Sequence, residues 1–189
     1  MDSKLQIISG QYKGRKLRLP PDARPTQNRA RIALFNMLES GIIDKSAEFT
    51  VWDAFAGSGA FGLECLSRYS NARVIFTDVA PTSVRTVRDN LAMLGVGARA
   101  SIFQADAVGN AQKFTENADL IFIDAPYDEY ELGGALVARI GRVARPGTIL
   151  VWEQETKNAI TPDETVWEIL RDKTYGRARF LILQKKEVV

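Results

Sequence analysis

The 189-residue sequence contains no histidine and a single cysteine, Cys65. Without histidine it cannot build a Ser-His-Asp triad or use an imidazole as a general base. One cysteine cannot form an internal disulfide, and it leaves too few ligands for a zinc site. We therefore expect no metal, and we expect chemistry that depends on carboxylates, tyrosine, backbone groups or a cofactor that brings its own reactivity.

Long apolar runs are also absent from the sequence. No stretch approaches the roughly 20 apolar residues that a membrane helix needs, and the first residues do not resemble a signal peptide. Hydrophobic residues make up 46% of the chain and charged residues 25%, which is typical of a globular protein with one core. We predict a cytoplasmic protein without a membrane segment, and we expect it to be a monomer.

Charge is distributed unevenly, although the net charge is only +2. Residues 1–31 contain eight basic and two acidic residues, whereas acidic residues outnumber basic ones in the rest of the chain. A basic segment on a mildly acidic body favours a polyanionic partner, and a solvated basic terminus is the alternative. The predicted nucleic-acid-binding residues are Lys13, Arg15, Lys16, Arg18, Arg24, Arg29 and Arg31.

The N-terminal residues have a pattern of their own. Apolar residues between Leu5 and Leu19 surround a turn signal at 11–14, which predicts a short β-hairpin. Thr26 is a suitable N-cap for a helix that runs to about Ser40 and stops at Gly41. We therefore predict two parts, a basic extension of residues 1–41 that binds RNA and one compact unit of residues 42–189.

From about residue 50 the pattern alternates between strand and helix. The predicted strands are 49–52, 73–77, 101–103, 120–123 and 148–152. The predicted helices between them are 60–69, 81–94, 107–115 and 130–144. Two further apolar runs, 166–170 and 179–183, flank a turn and predict a hairpin. The order predicts an α/β fold, a doubly wound, Rossmann-like, seven-stranded, mostly parallel sheet with a C-terminal antiparallel hairpin.

An aspartate stands at or just after the end of each of the first four predicted strands. These residues are Asp53, Asp78, Asp106 and Asp124. Any one of them alone could be a helix cap or a solvated loop acid. Because ligands of open α/β sheets bind at the carboxyl ends of the strands, the four together predict an acidic binding edge.

The first strand leads into Gly57-Ser58-Gly59-Ala60-Phe61-Gly62, which matches the G-x-G-x-x-G fingerprint. Asp78 follows at the spacing of a ribose-binding acid, so an NAD-linked oxidoreductase is one interpretation. Asp53, however, would oppose a pyrophosphate, whereas it suits the sulfonium and ammonium of S-adenosylmethionine. The predicted cofactor-binding residues are Asp53, Phe55, Gly57, Gly59, Asp78, Asp106 and Ala107.

The fourth strand is followed by Asp124-Ala125-Pro126-Tyr127. This segment resembles the [DN]-P-P-[YFW] motif of class I methyltransferases that modify exocyclic amino groups. The resemblance extends to bacterial 16S rRNA guanine-N2 methyltransferases of the RsmD type. It is carried by the opening at 7–17, by Arg24-Pro25-Thr26 and the residues up to Asn36, and by the run from Asp53 to Glu64, and it covers about residues 7–185.

The resemblance implies transfer of a methyl group from S-adenosylmethionine to N2 of a guanine in 16S rRNA or small-subunit assembly particles. It assigns the Asp124 carboxylate and the Ala125 carbonyl to the target amine, Pro126 to the turn and Tyr127 to stacking on the base. Three positions depart from the family pattern, with Ala125 in place of proline, Asn28 in place of aspartate and Ile32 in place of glutamate.

Other functions remain open from the residues alone. A DNA adenine-N6 or protein glutamine-N5 methyltransferase would use the same kind of amine chemistry. A non-catalytic RNA-binding module on a decayed methyltransferase fold would fit the Ala125 departure. Cofactor binding separates the oxidoreductase from these alternatives, and turnover separates the binding module from the enzymes.

Overall fold

The structure, a computed structural model, describes residues 5–21 and 28–187. Its centre is a seven-stranded sheet with the strand order β3-β2-β1-β4-β5-β7-β6. The strands are β1 Phe49–Asp53, β2 Ala72–Asp78, β3 Ala100–Gln104, β4 Leu120–Asp124, β5 Ile149–Glu155, β6 Trp167–Tyr175 and β7 Ala178–Lys185. The first five strands are parallel, and β7 is antiparallel to both β5 and β6. The predicted mostly parallel sheet with a C-terminal hairpin is confirmed.

Helices cover both faces of this sheet. They are α1 Asn28–Glu39, α2 Ala60–Arg68, α3 Pro81–Leu94, α4 Ala111–Thr115 and α5 Tyr130–Val143. The first three helices contribute to one hydrophobic cluster, which includes Val51, Phe122 and Val151 from the strands. The last two contribute to a second cluster, which includes Trp52 and Ile121. Neighbouring strand residues thus face opposite clusters, as the period of a strand requires.

Local sequence signals set most element boundaries. Helix α3 begins at Pro81, whose fixed φ suits a first turn, and it ends at Gly95, whose φ of 70° is left-handed. Helix α4 begins later than predicted, at Ala111 instead of 107. The reason is Asp106, whose carboxylate accepts hydrogen bonds from the backbone N–H groups of Val108 and Gly109 and so holds a turn.

The N-terminal segment forms a hairpin-like loop that packs on the main body. A bridge between Gln6 and Lys16 closes it, and Leu5, Ile7 and Leu17 are buried in the same cluster as the first three helices. Residues 5–17 and α1 therefore share a core with the sheet. The division into an RNA-binding extension of residues 1–41 and a compact unit of residues 42–189 remains a prediction.

The longest helices in the described ranges 5–21 and 28–187 have 14 residues. No helix there is both long enough and apolar enough to cross a bilayer.

Candidate active site

The predicted acidic residues meet at the carboxyl edge of the parallel strands. Asp53, Asp78 and Asp124 are the last residues of β1, β2 and β4, and Asp106 follows β3 by two residues. Strands β1 and β4 are neighbours although three strands apart in sequence order, so the strand order reverses between them. Such a switch point is where open α/β sheets bind their ligands.

The glycine loop after β1 is joined to the end of β2. The N–H of Gly57 donates to Asp78 Oδ2 at 2.8 Å, and Asp78 Oδ1 accepts from Ala80 N at 2.9 Å. Gly57 and Gly59 have φ values of 53° and 78°, in the left-handed region that favours glycine. A Cβ added at Gly57 would meet no atom within 4 Å, so the loop is open on that side.

Asp53 is the most deeply buried of the four aspartates. Only 1% of it is exposed, and its carboxylate accepts a hydrogen bond from Gly62 N at 3.1 Å. Burial raises the pKa of Asp53 to about 8, and the negative charges of Asp124 and Asp78 contribute to the rise. The edge therefore favours a nearby positive charge.

The charges at this edge test whether the residues fit the expected cofactor. No described lysine or arginine forms a salt bridge with Asp53, Asp78 or Asp124. Unpaired carboxylates beside glycine N–H groups suit a ligand that carries a sulfonium and an ammonium, and they oppose a pyrophosphate. The residues fit S-adenosylmethionine better than NAD.

The other predicted cofactor residues lie around the same edge. Ala107 is 2% exposed and packs in the second cluster, and Phe55 packs against that cluster. The exposed Asp106 uses its carboxylate to hold the turn to Val108 and Gly109. Asp106 is therefore already hydrogen-bonded locally, which sequence reasoning did not foresee.

The segment after β4 brings Tyr127 back over the sheet. Ala125 is buried, Pro126 is exposed, and Tyr127 begins a short 3₁₀ turn, Tyr127–Glu129. The Tyr127 hydroxyl donates to Glu153 Oε1 at 3.4 Å. Glu153 lies on β5 directly beside Asp124 in the strand register.

Glu153 was missed in the sequence analysis. Desolvation raises the pKa of Asp124. Desolvation also raises the pKa of Glu153 well above its ordinary value, the charge of Asp124 adds to the rise, and the hydrogen bond from Tyr127 opposes it. The signal was present, because Glu153 follows the fifth predicted strand as the aspartates follow the first four.

The predicted nucleic-acid-binding residues are not all on the surface. Lys13, Lys16 and Arg29 are exposed, Arg15 donates to the carbonyl of Met93, and Arg18 forms an exposed salt bridge with Asp89. Arg24 lies outside the described residues.

Arg31 departs from the prediction because it is buried. Its side chain is 5% exposed and pairs with Glu64 at 3.1 Å, and it also donates to the carbonyl of Gln6. Burial lowers the pKa of Arg31, whereas Glu64 opposes this change. In this structure Arg31 joins α1 to α2 and to the N-terminal loop, so it is not available to a phosphate.

Comparisons with known proteins agree with this arrangement. A family model described as "Conserved hypothetical protein 95" matches residues 5–184. Ribosomal RNA small subunit methyltransferase D of Escherichia coli (strain K12) is 34% identical over 187 residues, which cover 96% of this chain and 90% of that protein. The solved structure of Escherichia coli yhhF has a TM-score of 0.80 and 31% identity, with 96% of this chain and 97% of that chain covered.

A more distant structure shares the fold. The RNA methyltransferase from Salinibacter ruber in complex with S-adenosyl-L-homocysteine has a TM-score of 0.67 and 18% identity, with 88% of this chain and 96% of that chain covered. The family model and the Escherichia coli relative each extend over nearly the whole chain. The chain therefore belongs to the Conserved hypothetical protein 95 family, the family of ribosomal RNA small subunit methyltransferase D.

Proposed function

We propose that the protein transfers a methyl group from S-adenosyl-L-methionine to the exocyclic N2 of a guanine in 16S rRNA. The observation that carries the proposal is Asp124-Ala125-Pro126-Tyr127 at the switch point, beside a glycine loop and unpaired carboxylates. The relative from Escherichia coli is named a ribosomal RNA small subunit methyltransferase, which supports the substrate. The neighbour from Salinibacter ruber binds S-adenosyl-L-homocysteine, which supports the cofactor.

The chain's own residues would hold the cofactor at the edge of β1, β2 and β3. Asp78 would accept hydrogen bonds from ribose hydroxyls, and Asp53 would balance positive charge. Gly57 and Gly59 let the backbone approach closely, and Phe55, Asp106 and Ala107 would enclose the base end. When bound, S-adenosylmethionine supplies a methyl group on a sulfonium, which is a good leaving group, so the protein mainly provides alignment and electrostatics.

Asp124 and Ala125 would prepare the target amine. The lone pair of an exocyclic base nitrogen is delocalised into the ring, which makes it a weak nucleophile. If the Asp124 carboxylate and the Ala125 carbonyl accept the two amine hydrogens, the lone pair is directed toward the methyl group. Tyr127 would stack on the base, which contributes about 1–3 kcal/mol.

Guanine fits the carboxylate better than adenine does. Its Watson–Crick edge offers two donors, N1–H and the N2 amine, whereas adenine places an acceptor at N1 beside its amine. A carboxylate at Asp124 can accept from both guanine donors. Access to this edge requires an unpaired or flipped nucleotide, which favours a loop in RNA, and exposed basic residues of the N-terminal segment suit its phosphates.

The modified nucleoside tests the proposal directly. Protein, S-adenosylmethionine and undermodified small-subunit particles are incubated, and the RNA is digested for mass spectrometry. We expect N2-methylguanosine, with none formed when DNA or a glutamine peptide replaces the particles. N6-methyladenosine, or methylation of DNA or peptide alone, would refute the proposed substrate.

Substitution of Asp124 tests the residue assignment. Asp124→Asn should lower kcat at least 100-fold, because the amide accepts hydrogen bonds more weakly and cannot take up a proton. The affinity for S-adenosylhomocysteine should change less than about threefold, since Asp124 faces the base. Asp128→Asn is the matched control, because Asp128 is exposed in the adjacent turn. A normal kcat in Asp124→Asn would contradict the assignment.

A further inference from the structure

We propose that Glu153 is a positioning residue for methyl transfer: it places a second negative charge against Asp124, so that Asp124 can take up the proton that the methylated amine loses. The inference deepens the proposed function and rests on it. No motif of the sequence analysis included Glu153, and its role follows from its place in the sheet.

The strand register brings the two carboxylates together. Asp124 and Glu153 are paired residues of the parallel strands β4 and β5. Adjacent strands lie about 4.8 Å apart, so side chains of paired residues on one face are neighbours. Phe122 and Val151, two residues earlier on each strand, are both in the first cluster, so Asp124 and Glu153 share that face.

Among the described residues, Glu153 has a hydroxyl as hydrogen-bond partner and no salt-bridged cation. The Tyr127 hydroxyl donates to Glu153 Oε1 at 3.4 Å, and no described lysine or arginine forms a salt bridge with Glu153. Within residues 5–21 and 28–187, the fold therefore brings the pair together without a salt bridge to neutralise it. Two such carboxylates cannot both ionise readily, and they retain a proton between them more strongly than either would alone.

Three other acids lie near this pair. Asp53 on β1 and Asp78 on β2 are the other acids at this edge, and the charges of Asp124 and Asp78 raise the pKa of Asp53. Glu155, two residues along β5, is paired with Arg177 from the β6–β7 turn and with Lys157. Among the described residues, Glu153 is the acid directly beside Asp124 in the strand register.

Methyl transfer leaves the amine nitrogen with a proton that it must release to an acceptor. The amine nitrogen gains the methyl group with its lone pair, the carbon–sulfur bond breaks with its electrons left on sulfur, and the nitrogen then loses one proton. Asp124 is placed to take this proton. The like charge of Glu153 makes Asp124 a stronger base, and the proton can afterwards pass to Glu153 and to solvent.

The kcat–pH profile of Glu153→Gln tests the proposal. In the wild type, kcat falls as the pH is lowered through the raised pKa of the pair, because Asp124 becomes protonated. Glu153→Gln keeps the size and an acceptor for Tyr127 but removes the charge. The acid limb, which is the fall of kcat on the acidic side of the profile, should shift to lower pH by about one unit or more. The plateau kcat should fall about tenfold because Asp124 is less basic. Glu153→Asp should restore the limb toward the wild type.

Two control variants separate charge from packing. Tyr127→Phe keeps both carboxylates and the aromatic ring but removes the hydrogen bond that lowers the pKa of Glu153, so its acid limb should stay in place or move to higher pH, opposite to the shift expected for Glu153→Gln. Glu155→Gln removes a carboxylate from the same strand whose charge is already balanced by Arg177 and Lys157. Its acid limb should also stay in place. An unmoved limb in Glu153→Gln, or an equal movement in Glu155→Gln, would overturn the proposal.

Carboxyl ¹³C NMR titration of the protein bound to S-adenosylhomocysteine gives a readout without turnover, and it also shows that each variant is folded. The Asp124 signal should titrate at a lower pH in Glu153→Gln than in the wild type. If the Asp124 signal titrates at the same pH in both proteins, the proposed role of Glu153 is rejected even if the enzyme is active. Absence of RNA methylation by the wild type would instead reject the proposed function, and the role of Glu153 with it.

Discussion

Asp53 combines near-complete burial with an ionisable carboxyl group, and in the described part of the chain its carboxylate accepts one hydrogen bond, from the N–H of Gly62. A buried acid without a basic partner destabilises the fold when it is ionised. The compensating charge expected at this edge is that of the bound cofactor. If Asp53 balances the positive charge of the cofactor, as proposed, its burial lowers the stability of the free protein and raises the affinity for that cation.

The pH dependence of unfolding should show this cost. The folded pKa of Asp53 is about 8, whereas the unfolded value is about 4. Between these values the unfolded state binds fewer protons than the folded state, so the free energy of unfolding falls as the pH rises through this window. Asp53→Asn should be more stable than the wild type at pH 8 by about 2 kcal/mol or more, and nearly equal to it at pH 4.

Urea unfolding at both pH values checks this result, with S-adenosylhomocysteine affinity as the second measurement. Affinity should fall in Asp53→Asn because the balancing charge is gone. Equal stability of variant and wild type at pH 8 would mean that Asp53 is not kept protonated by burial, and its assignment to the cationic part of the cofactor would lose its electrostatic basis.

Helix α2 connects the glycine loop after β1 to the N-terminal segment. Its first turn follows Gly59, and its middle carries Glu64, which accepts hydrogen bonds from the N–H groups of Ile8 and Ser9. Arg31 and Arg68 pair with the same carboxylate. Ser67 of the same helix also accepts from the N–H of Tyr12 and donates to the carbonyl of Ser9. Buried side chains of α2 thus hold the N-terminal segment, which places its exposed basic residues relative to the cofactor edge.

Packing of α2 on β2 depends on Gly62, the third glycine of the fingerprint. A Cβ there would lie 2.4 Å from Phe76 Cε1 and 2.8 Å from Val74 Cγ1, both in the core. Gly62→Ala should therefore lower the free energy of unfolding by about 1–3 kcal/mol through overpacking. Gly97→Ala is the control, because a Cβ there meets no atom within 4 Å. Denaturant unfolding of both variants measures this difference. Equal stabilities of the two variants would show that α2 shifts enough to accommodate the added methyl group.

The sequence predicts features that depend on local signals and misses those that depend on residues distant in the chain. Apolar runs, Pro81 and Gly95 predicted the strands and α3, because such signals are local. Arg31 was placed on the RNA surface because its partner Glu64 lies 33 residues away, and nothing local reveals a buried ion pair. Glu153 follows its strand as the aspartates follow theirs, but its place beside Asp124 depends on the sheet order, which the sequence does not give.

At the scale of the whole molecule, the proposed RNA surface and the proposed site belong to one body with a shared core. Leu5, Ile7 and Leu17 are buried together with core residues of α2 and the sheet. Deleting the N-terminal segment would therefore remove core side chains along with its positive charges. Its contribution to RNA binding has to be measured with surface substitutions that leave these residues in place.

The double variant Lys13→Gln/Arg29→Gln meets this requirement, because both side chains are exposed. If each contacts a phosphate, RNA affinity should fall, and the slope of log affinity against log salt should flatten by about 0.7–0.9 per lost contact. Thermal stability and S-adenosylhomocysteine affinity should stay at the wild-type values. The measurement is a titration of small-subunit particles at several salt concentrations.

The matched control is Arg139→Gln/Arg142→Gln, which makes the same change in net charge on α5, whose core residues pack on the opposite face of the sheet. Long-range attraction depends on net charge and would be weakened equally in both variants, whereas counterion release depends on which side chains touch phosphates. Only the Lys13/Arg29 pair should therefore flatten the salt slope. Equal slopes in the two double variants would assign the N-terminal basic residues to general attraction and would leave the RNA contact surface to be sought elsewhere along the carboxyl edge.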